Sequence, residues 1–124
     1  MKINIKASSG GEQITDALRH YAESRIHSIE KFLDKNDESV IVDVEIGKIT
    51  DHHRQGEVFG AEINLQMANS KLLRAEVTET DQYAAIDIAK DEIIREIKKA
   101  RGKKEALFRR GARKIKRMLR FGRE

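Results

Sequence analysis

Hydrophobic and polar positions alternate with a period of two in four short segments of the chain. This alternation predicts β-strands that have one buried face and one solvated face. In the last of the segments, Leu73 and Val77 alternate with Arg74 and Glu76. The predicted strands lie at 2–6, 40–47, 59–67 and 71–79.

Two longer segments instead repeat their apolar residues at intervals of three or four, the spacing of a helix with one buried face. The first predicted helix starts at Thr15 or a neighbour and runs to about Leu33. The second starts after Thr80 or Asp81, where an N-cap residue is expected, and runs to Arg101. Its apolar positions are Ile86, Ala89, Ile93, Ile97 and Ala100.

The predicted elements follow the order β-α-β-β-β-α, which indicates an α+β fold. Strands with one polar face need to be covered on the other face only, and two amphipathic helices are enough for that. Because a helix connects the first strand to the second, these two strands should be parallel with a right-handed crossover. We therefore predict a two-layer sandwich of a four-stranded sheet with both helices on one face.

The last segment, 102–124, differs because basic residues fill most positions between its apolar ones. Phe108 and Ile115 recur at helical spacing, which predicts a basic amphipathic helix. Gly102 is expected to separate this helix from the one before it. We therefore expect an α+β domain over residues 1–101 and, after it, a basic amphipathic tail that is flexible or helical.

The charge of the chain is divided unequally between these two parts. Residues 1–100 carry 14 basic and 19 acidic side chains, a net charge of −5, whereas residues 101–124 carry 11 basic and two acidic ones, a net charge of +9. Such an imbalance indicates a polyanionic partner, and basic residues concentrated beside a predicted helix favour nucleic acid. The tail is therefore the first candidate for a nucleic-acid interface.

Two stretches of the sequence resemble one known family. LRAEVTETDQYAAIDIA resembles the LRAE…D-Y-AAID signature of the hibernation-promoting factors, also called ribosome-associated inhibitor A or sigma-54 modulation proteins. The earlier stretch ITDALRHYAESRIHSIEKFLD is similar to the first helix of the same family. The two stretches occur in the right order, and the resemblance covers about residues 1–101.

The resemblance implies a protein that binds the small ribosomal subunit under stress or in stationary phase. Family members occupy the channel for messenger and transfer RNA and so inhibit translation. The expected partners are therefore the small subunit and its ribosomal RNA, and no cofactor is expected. Long members add a second, dimerising domain after a linker, so this chain of 124 residues resembles a short form.

Basic residues on both predicted helices match basic positions of the family, and the tail adds many more. Ser28 and Glu92 stand where members often carry basic residues, so we expect the tail to supply much of the affinity. Arginine and lysine make most contacts to phosphate. The predicted RNA-binding residues are Arg19, Arg25, Lys31, Lys90, Arg95, Lys98, Lys99, Arg101, Lys103, Lys104, Arg109, Arg110, Arg113, Lys114, Lys116, Arg117 and Arg120.

Arg25 has two possible roles, because it lies at the apolar edge of the first helix beside Tyr21 and Phe32. An unpaired guanidinium is costly to bury. The side chain therefore either pairs with the second helix or covers a neighbouring ring, or it points outward to bind RNA.

The sequence contains no pattern typical of an enzyme. It lacks cysteine, a glycine-rich phosphate loop and a nucleophile elbow. The pair His52–His53 falls in a predicted hairpin loop, where we expect a solvated tip and no metal site. The N-terminus has no apolar signal-like region, and no stretch approaches the length of a membrane span, so we expect a soluble cytoplasmic protein without a membrane or small-molecule partner.

Two other functions fit the same residues. A general RNA- or DNA-binding module without ribosome specificity would use the same basic tail. A protein regulator would instead dock that tail on an acidic partner or on a membrane surface. Co-sedimentation with small subunits favours the first function, equal binding to any duplex favours the second, and partners that resist nuclease favour the third.

Overall fold

The computed structural model describes residues 1–8, 14–34, 38–49, 58–67 and 71–121, and its elements follow the predicted order. The helices are α1 (Asp16–His27) and α2 (Gln82–Phe121), and a 3₁₀ turn at Glu30–Phe32 follows α1. The strands are β1 (Lys2–Ala7), β2 (Ile41–Ile49), β3 (Val58–Gln66) and β4 (Leu72–Glu79). The predicted α+β fold is confirmed.

The four strands form one sheet in the order β1-β2-β3-β4. β1 runs parallel to β2, as a strand–helix–strand connection requires, whereas the two later pairs are antiparallel. Val44, Ile63 and Ala75 lie opposite one another on β2, β3 and β4, and all three are buried. Because side chains alternate between the faces of a strand, this register directs one apolar face toward the helices.

The hydrophobic core lies between that face of the sheet and the two helices. α2 contributes the apolar positions predicted for it, of which Ala100 is half-buried and the other four are at most 2% exposed. The core side chains of α1 and the turn after it are Leu18, Ala22, Ile26, Ile29 and Leu33. The outer face of the sheet is left to solvent, so the two faces of the molecule differ in chemistry.

α1 begins where the sequence predicts and ends earlier. Thr15 caps its start, because the Thr15 Oγ1 accepts a hydrogen bond from a backbone amide of the first turn at 3.2 Å. The helix ends at His27, because the hydroxyl of Ser28 donates to the carbonyl oxygen of Arg25 at 2.6 Å and competes with the helical pattern. The 3₁₀ turn that follows still places Leu33 in the core.

α2 is a single helix of 40 residues that continues through Gly102 and Gly111. The break that we expected at Gly102 is therefore wrong. A Cβ atom at either glycine would meet no other atom within 4 Å, so each costs only the intrinsic helix penalty of about 1 kcal/mol, and the helix-forming residues around them outweigh it. The buried core ends at Ile97, and we call residues 1–101 the body and residues 102–121 the extension.

Two of the predicted connections lie outside the described residues. One is the loop that contains His52–His53, between β2 and β3. The other is the turn at Asn69–Ser70, between β3 and β4.

Candidate nucleic-acid interface

Three glutamates form a row across the outer face of the sheet, and Lys6 on β1 lies beside the first of them. Glu45, Glu62 and Glu76 stand side by side, because Glu45 pairs with Glu62 and Glu62 with Glu76 in the strand register. Arg74 contacts two of them, with Nε 3.2 Å from Glu62 Oε1 and Nη2 3.0 Å from Glu76 Oε2. A row of like charges would repel phosphate groups as well as its own members. The candidate surface therefore lies on the helical side of the molecule and along the extension.

Arg25 is tied to α2 by its contacts in the body. Its Nε lies 3.2 Å from Asp87 Oδ1, and the centre of its guanidinium lies 4.9 Å from the centroid of the Tyr21 ring. The Tyr21 hydroxyl donates to Asp87 Oδ2 at 2.7 Å, and the ring meets that of Tyr83 edge to face, with centroids 4.8 Å apart. Of the two roles open in the sequence, the structure shows the pairing with the second helix.

The contacts among Tyr21, Arg25 and Asp87 raise the pKa values of Tyr21 and Arg25. The hydrogen bond to Asp87, together with partial burial, raises the pKa of Tyr21 above its ordinary value of 10.0. Interaction with the Tyr21 hydroxyl, and then the negative charge of Asp87, raises the pKa of Arg25. The Arg25 guanidinium therefore stays charged in its pair with Asp87. If Arg25 also bound RNA, the phosphate and Asp87 would compete for the same guanidinium.

The other predicted residues of α1 and its turn also contact the body. The Arg19 Nη1 donates to the carbonyl oxygen of Ile5 on β1 at 3.1 Å, although the side chain is exposed. The Lys31 Nζ lies 5.3 Å from the centroid of the Phe32 ring. The Lys98 Nζ of α2 lies 5.0 Å from the same ring. These cations are held in defined places on the surface, where they can orient a bound polyanion.

The predicted residues of α2 within the body differ in their availability. The side chain of Lys90 is only 18% exposed, and its Nζ lies 2.8 Å from Asp91 Oδ1, so Lys90 is poorly placed to reach RNA. Arg95, Lys99 and Arg101 are exposed, and none makes an ion pair with another residue in the described part of the chain. The accessible positive charge of α2 therefore begins near Arg95 and increases toward the extension.

The basic side chains of the extension share one face of the helix. At 100° per residue, six of them fall within an arc of about 160°. All six are exposed, and within the described ranges they have no ion-pair partner. They are Arg109, Arg110, Arg113, Lys114, Lys116 and Arg117. Lys103 is exposed nearer the body, while Lys104 and Arg120 lie in the same helix with side chains outside the described structure.

The opposite face of the extension is apolar and uncovered. Five large apolar side chains fall within an arc of about 120° on the same helix wheel. Their exposed fractions lie between 61% and 78%, although apolar side chains of this size are usually buried. They are Leu107, Phe108, Ile115, Met118 and Leu119. The extension is thus an amphipathic helix, as the sequence predicts, with two faces that suit different partners.

Two kinds of site are not found in the described part of the molecule. No group of three or more histidine, cysteine, aspartate or glutamate side chains among these residues is placed to hold a metal ion. No helix over the same residues combines the length and the apolar character needed to cross a membrane.

A comparison with known protein families finds one that matches most of the chain. Residues 5–105 match the family described as sigma 54 modulation protein / S30EA ribosomal protein. The chain belongs to this family. The matched range includes both stretches that carry the resemblance in the sequence, and it ends near the start of the extension. Most of the basic and apolar residues of the extension therefore lie beyond the part that defines the family.

Two curated relatives are ribosome hibernation promotion factors. That of Lactococcus lactis subsp. cremoris (strain MG1363) is 30% identical over 99 residues, which cover 80% of this chain and 49% of the relative. That of Bacillus subtilis (strain 168) is 30% identical over 109 residues, which cover 88% of this chain and 53% of the relative. The chain thus spans about half the length of these relatives.

Solved structures support the fold. The N-terminal domain of Thermus thermophilus Protein Y superposes with a TM-score of 0.59 at 26% identity, covering 79% of this chain and 93% of that domain. A ribosomal subunit interface protein from Coxiella burnetii superposes with a TM-score of 0.61 at 16% identity, covering 82% and 99% of the two chains, and at that identity shows the fold alone.

Sequence reasoning did not single out Asp87 as the partner of Arg25. A signal was present, because Asp87 lies next to the buried Ile86 on α2, as Arg25 lies next to the buried Ile26 on α1. Opposite charges at the apolar edges of two helices on one sheet predict a pair between the helices.

Proposed function

We propose that this protein is a ribosome hibernation factor. It binds the small ribosomal subunit through ribosomal RNA in the channel for messenger and transfer RNA, and it inhibits translation by occupying that channel under stress or in stationary phase. Membership of the family and the names of the two curated relatives support this proposal. The protein acts by binding in the cytoplasm, without catalysis and without a cofactor.

The observation that carries the proposal is the exposed basic face of α2, which continues from the body into the extension. The extension of 20 residues adds about 30 Å of helix, enough to follow several phosphates. Structured RNA is recognised mainly by its shape and backbone, which a rigid row of arginine and lysine side chains can contact without reading bases.

In this proposal, the basic residues of the body orient the protein on the RNA. Arg19 and Lys31 are held by contacts to β1 and to the Phe32 ring, and Arg95 and Lys99 project from α2. The glutamate row on the outer face of the sheet is less attractive to RNA than the basic face of α2, so the helical side should turn toward the ribosome.

A sedimentation experiment with purified ribosomal subunits tests the proposal. The protein should pellet with small subunits, and an excess of messenger RNA with initiator transfer RNA should lower its occupancy, because they would share one channel. Occupancy that these ligands leave unchanged would place the binding site elsewhere. Pelleting with large subunits alone would contradict the proposal.

A general nucleic-acid-binding module is the second candidate. It is favoured by one observation, because the described basic face of the extension is formed by arginine and lysine, which bind phosphate regardless of sequence. Binding to a plain RNA or DNA duplex with the same affinity as to the small subunit would support this candidate against ribosomal specificity.

A further inference from the structure

An apolar groove lies where α2 leaves the body. It encloses about 380 Å³, which is within the range of protein pockets that take a compact ligand group. Leu33 and Ile97, at 6% and 2% exposure, connect its floor to the hydrophobic core. The apolar residues that line the groove are Phe32, Leu33, Met67, Ile97, Ala100 and Leu107.

The rim of the groove is positively charged. Lys71, Arg101 and Lys103 line it, together with one carboxylate, that of Asp34. A hydrogen bond of 2.8 Å from the amide of Met67 to the carbonyl oxygen of Lys71 fixes the backbone of β3 against that of the next strand at this edge. The ammonium groups of Lys31 and Lys98 also lie over the Phe32 ring, which adds positive charge next to the groove.

The groove continues into the apolar face of the extension. Leu107 lines the groove and is itself 66% exposed, and it lies on the same face as Met118 and Ile115. From Ile97 to Met118 this apolar track is about 30 Å long. Lys104 and Gly111 occupy two positions of the same helical arc, and the basic face of the helix borders it, so the track is a mostly apolar surface with positive edges.

We propose that this track binds an amphipathic acidic helix of a partner protein, with one large apolar side chain of that helix inserted into the groove. An apolar face that meets an apolar track, with acidic residues opposite basic edges, is the usual chemistry of a helix docked in a groove. RNA would contact mainly the basic face of the same helix, so the two ligands share only basic residues at the border, such as Arg101 and Lys103.

Charge and shape favour this occupant over the others. A second copy would bring another extension into contact with the first, and the net charge of +9 over residues 101–124 opposes that pairing. A nucleobase would find hydrogen-bond donors only in Lys71, Arg101 and Lys103, and the apolar residues that make up most of the lining favour an apolar side chain instead. A flat membrane surface would cover the apolar face but could not fill a concave groove that reaches the core.

The test uses the full chain and a labelled synthetic peptide. The peptide spans about five helical turns, with leucines at intervals of three and four and glutamates at the other positions. A control peptide carries glutamine in place of each leucine and keeps the same charge. Fluorescence anisotropy at physiological ionic strength should show binding of the first peptide and at least about tenfold weaker binding of the second, because burial of the leucines supplies the difference.

Two groove variants and one matched control locate the site. Leu107→Gln makes the track polar and Ala100→Leu fills the groove, and each should weaken peptide binding by about tenfold. The double variant Arg113→Gln, Arg117→Gln changes the basic face instead and should weaken binding of a single-stranded RNA oligonucleotide more than that of the peptide. Because two groove variants of opposite chemistry are used, and helix content is checked by circular dichroism, misfolding of one does not decide the result.

Three results would overturn the proposal. Equal binding of the two peptides, or peptide binding that both groove variants leave unchanged, would show attraction by charge alone. RNA binding that falls with Leu107→Gln as strongly as peptide binding would place nucleic acid in the groove. Binding to vesicles of anionic phospholipid that requires Leu107, without binding of the leucine peptide, would identify a membrane surface as the occupant.

Discussion

The body and the extension are built on opposite principles. In the body, most large apolar side chains are buried, and several cations have partners, such as Arg25 with Asp87 and Lys90 with Asp91. In the extension, large apolar side chains are exposed, and six basic ones have no ion-pair partner among the described residues. The body therefore holds the buried core, and we expect the exposed groups of the extension to serve binding.

The body and the extension also differ in net charge, which is −5 over residues 1–100 and +9 over residues 101–124. The outer face of the sheet presents three neighbouring glutamates, while α2 becomes increasingly basic toward its C-terminal end. We expect a polyanion to be attracted to the extension more strongly than to the outer face of the sheet, where Lys6 and Arg74 lie beside these glutamates. The net charge of +4 for the whole chain conceals this separation.

The largest expected effect is on the free energy of unfolding, when a buried isoleucine of the body and an exposed isoleucine of the extension are each replaced by alanine. Ile93 is completely buried, so Ile93→Ala should lower the free energy of unfolding by about 2–5 kcal/mol. Ile115 is 61% exposed, so Ile115→Ala should leave the unfolding of the body almost unchanged. Urea titrations of the two variants measure both values. A large loss with Ile115→Ala would mean that the extension packs on the body in solution.

A substitution of Arg25 distinguishes a role in stability from a role in RNA binding. Arg25→Ala should lower the melting temperature, because Asp87 Oδ1 is shielded from solvent, has no hydrogen-bond donor among the described residues, and would lose the positive charge that lies 3.2 Å from it. It should weaken RNA binding less than Arg113→Ala in the extension, whose side chain is exposed and makes no ion pair among the described residues. The opposite order of binding losses, with an unchanged melting temperature, would give Arg25 a direct role in RNA binding.

Gly111 offers a way to strengthen the extension alone. A Cβ atom at this position meets nothing within 4 Å, so Gly111→Ala should stabilise the local helix by about 1 kcal/mol. Hydrogen exchange of the amides near Gly111 should slow, while exchange in the sheet and the melting temperature should stay the same. A rise in the melting temperature would show that the extension and the body unfold together.

The smallest effect is expected at alkaline pH, from Tyr21. Its pKa is raised in the folded state, so the folded protein holds this proton more strongly than the unfolded chain does. The resulting stabilisation is complete below the ordinary value of 10.0 and is lost as the pH rises through the folded value. Tyr21→Phe lacks the phenol and should show a shallower decline in stability over that range. An identical decline would mean that Tyr21 contributes nothing to it.

The fold could be predicted from the sequence because its signals are local. Alternation in the strands, and the repeat from Ile86 to Ile97 in α2, directly reflect which side chains face the core. The early end of α1 could not be predicted in the same way. It depends on the Ser28 hydroxyl, which bonds the carbonyl oxygen of Arg25 while Ile29 and Leu33 keep helix-like positions in the core.

The candidate site could be predicted in part. The basic face of the extension follows from helical spacing, but its rigid connection to the body does not, because Gly102 is a plausible end of a helix. The roles of Arg25 and Lys90 depend on contacts that exist only in three dimensions. The groove was missed because Met67 and Lys71 are distant in sequence from Ile97 and Leu107.

The salt dependence of binding to small ribosomal subunits tests most directly whether the extension holds the RNA. Each phosphate that is neutralised contributes about 0.7 to 0.9 to the slope of log K against log salt concentration. If about half of the 10 basic residues at 102–124 contact phosphate, deletion of 102–124 should flatten the slope by about 4. The melting temperature should change little, because the core ends at Ile97. An unchanged slope would show that the body alone holds the RNA, and would contradict the account.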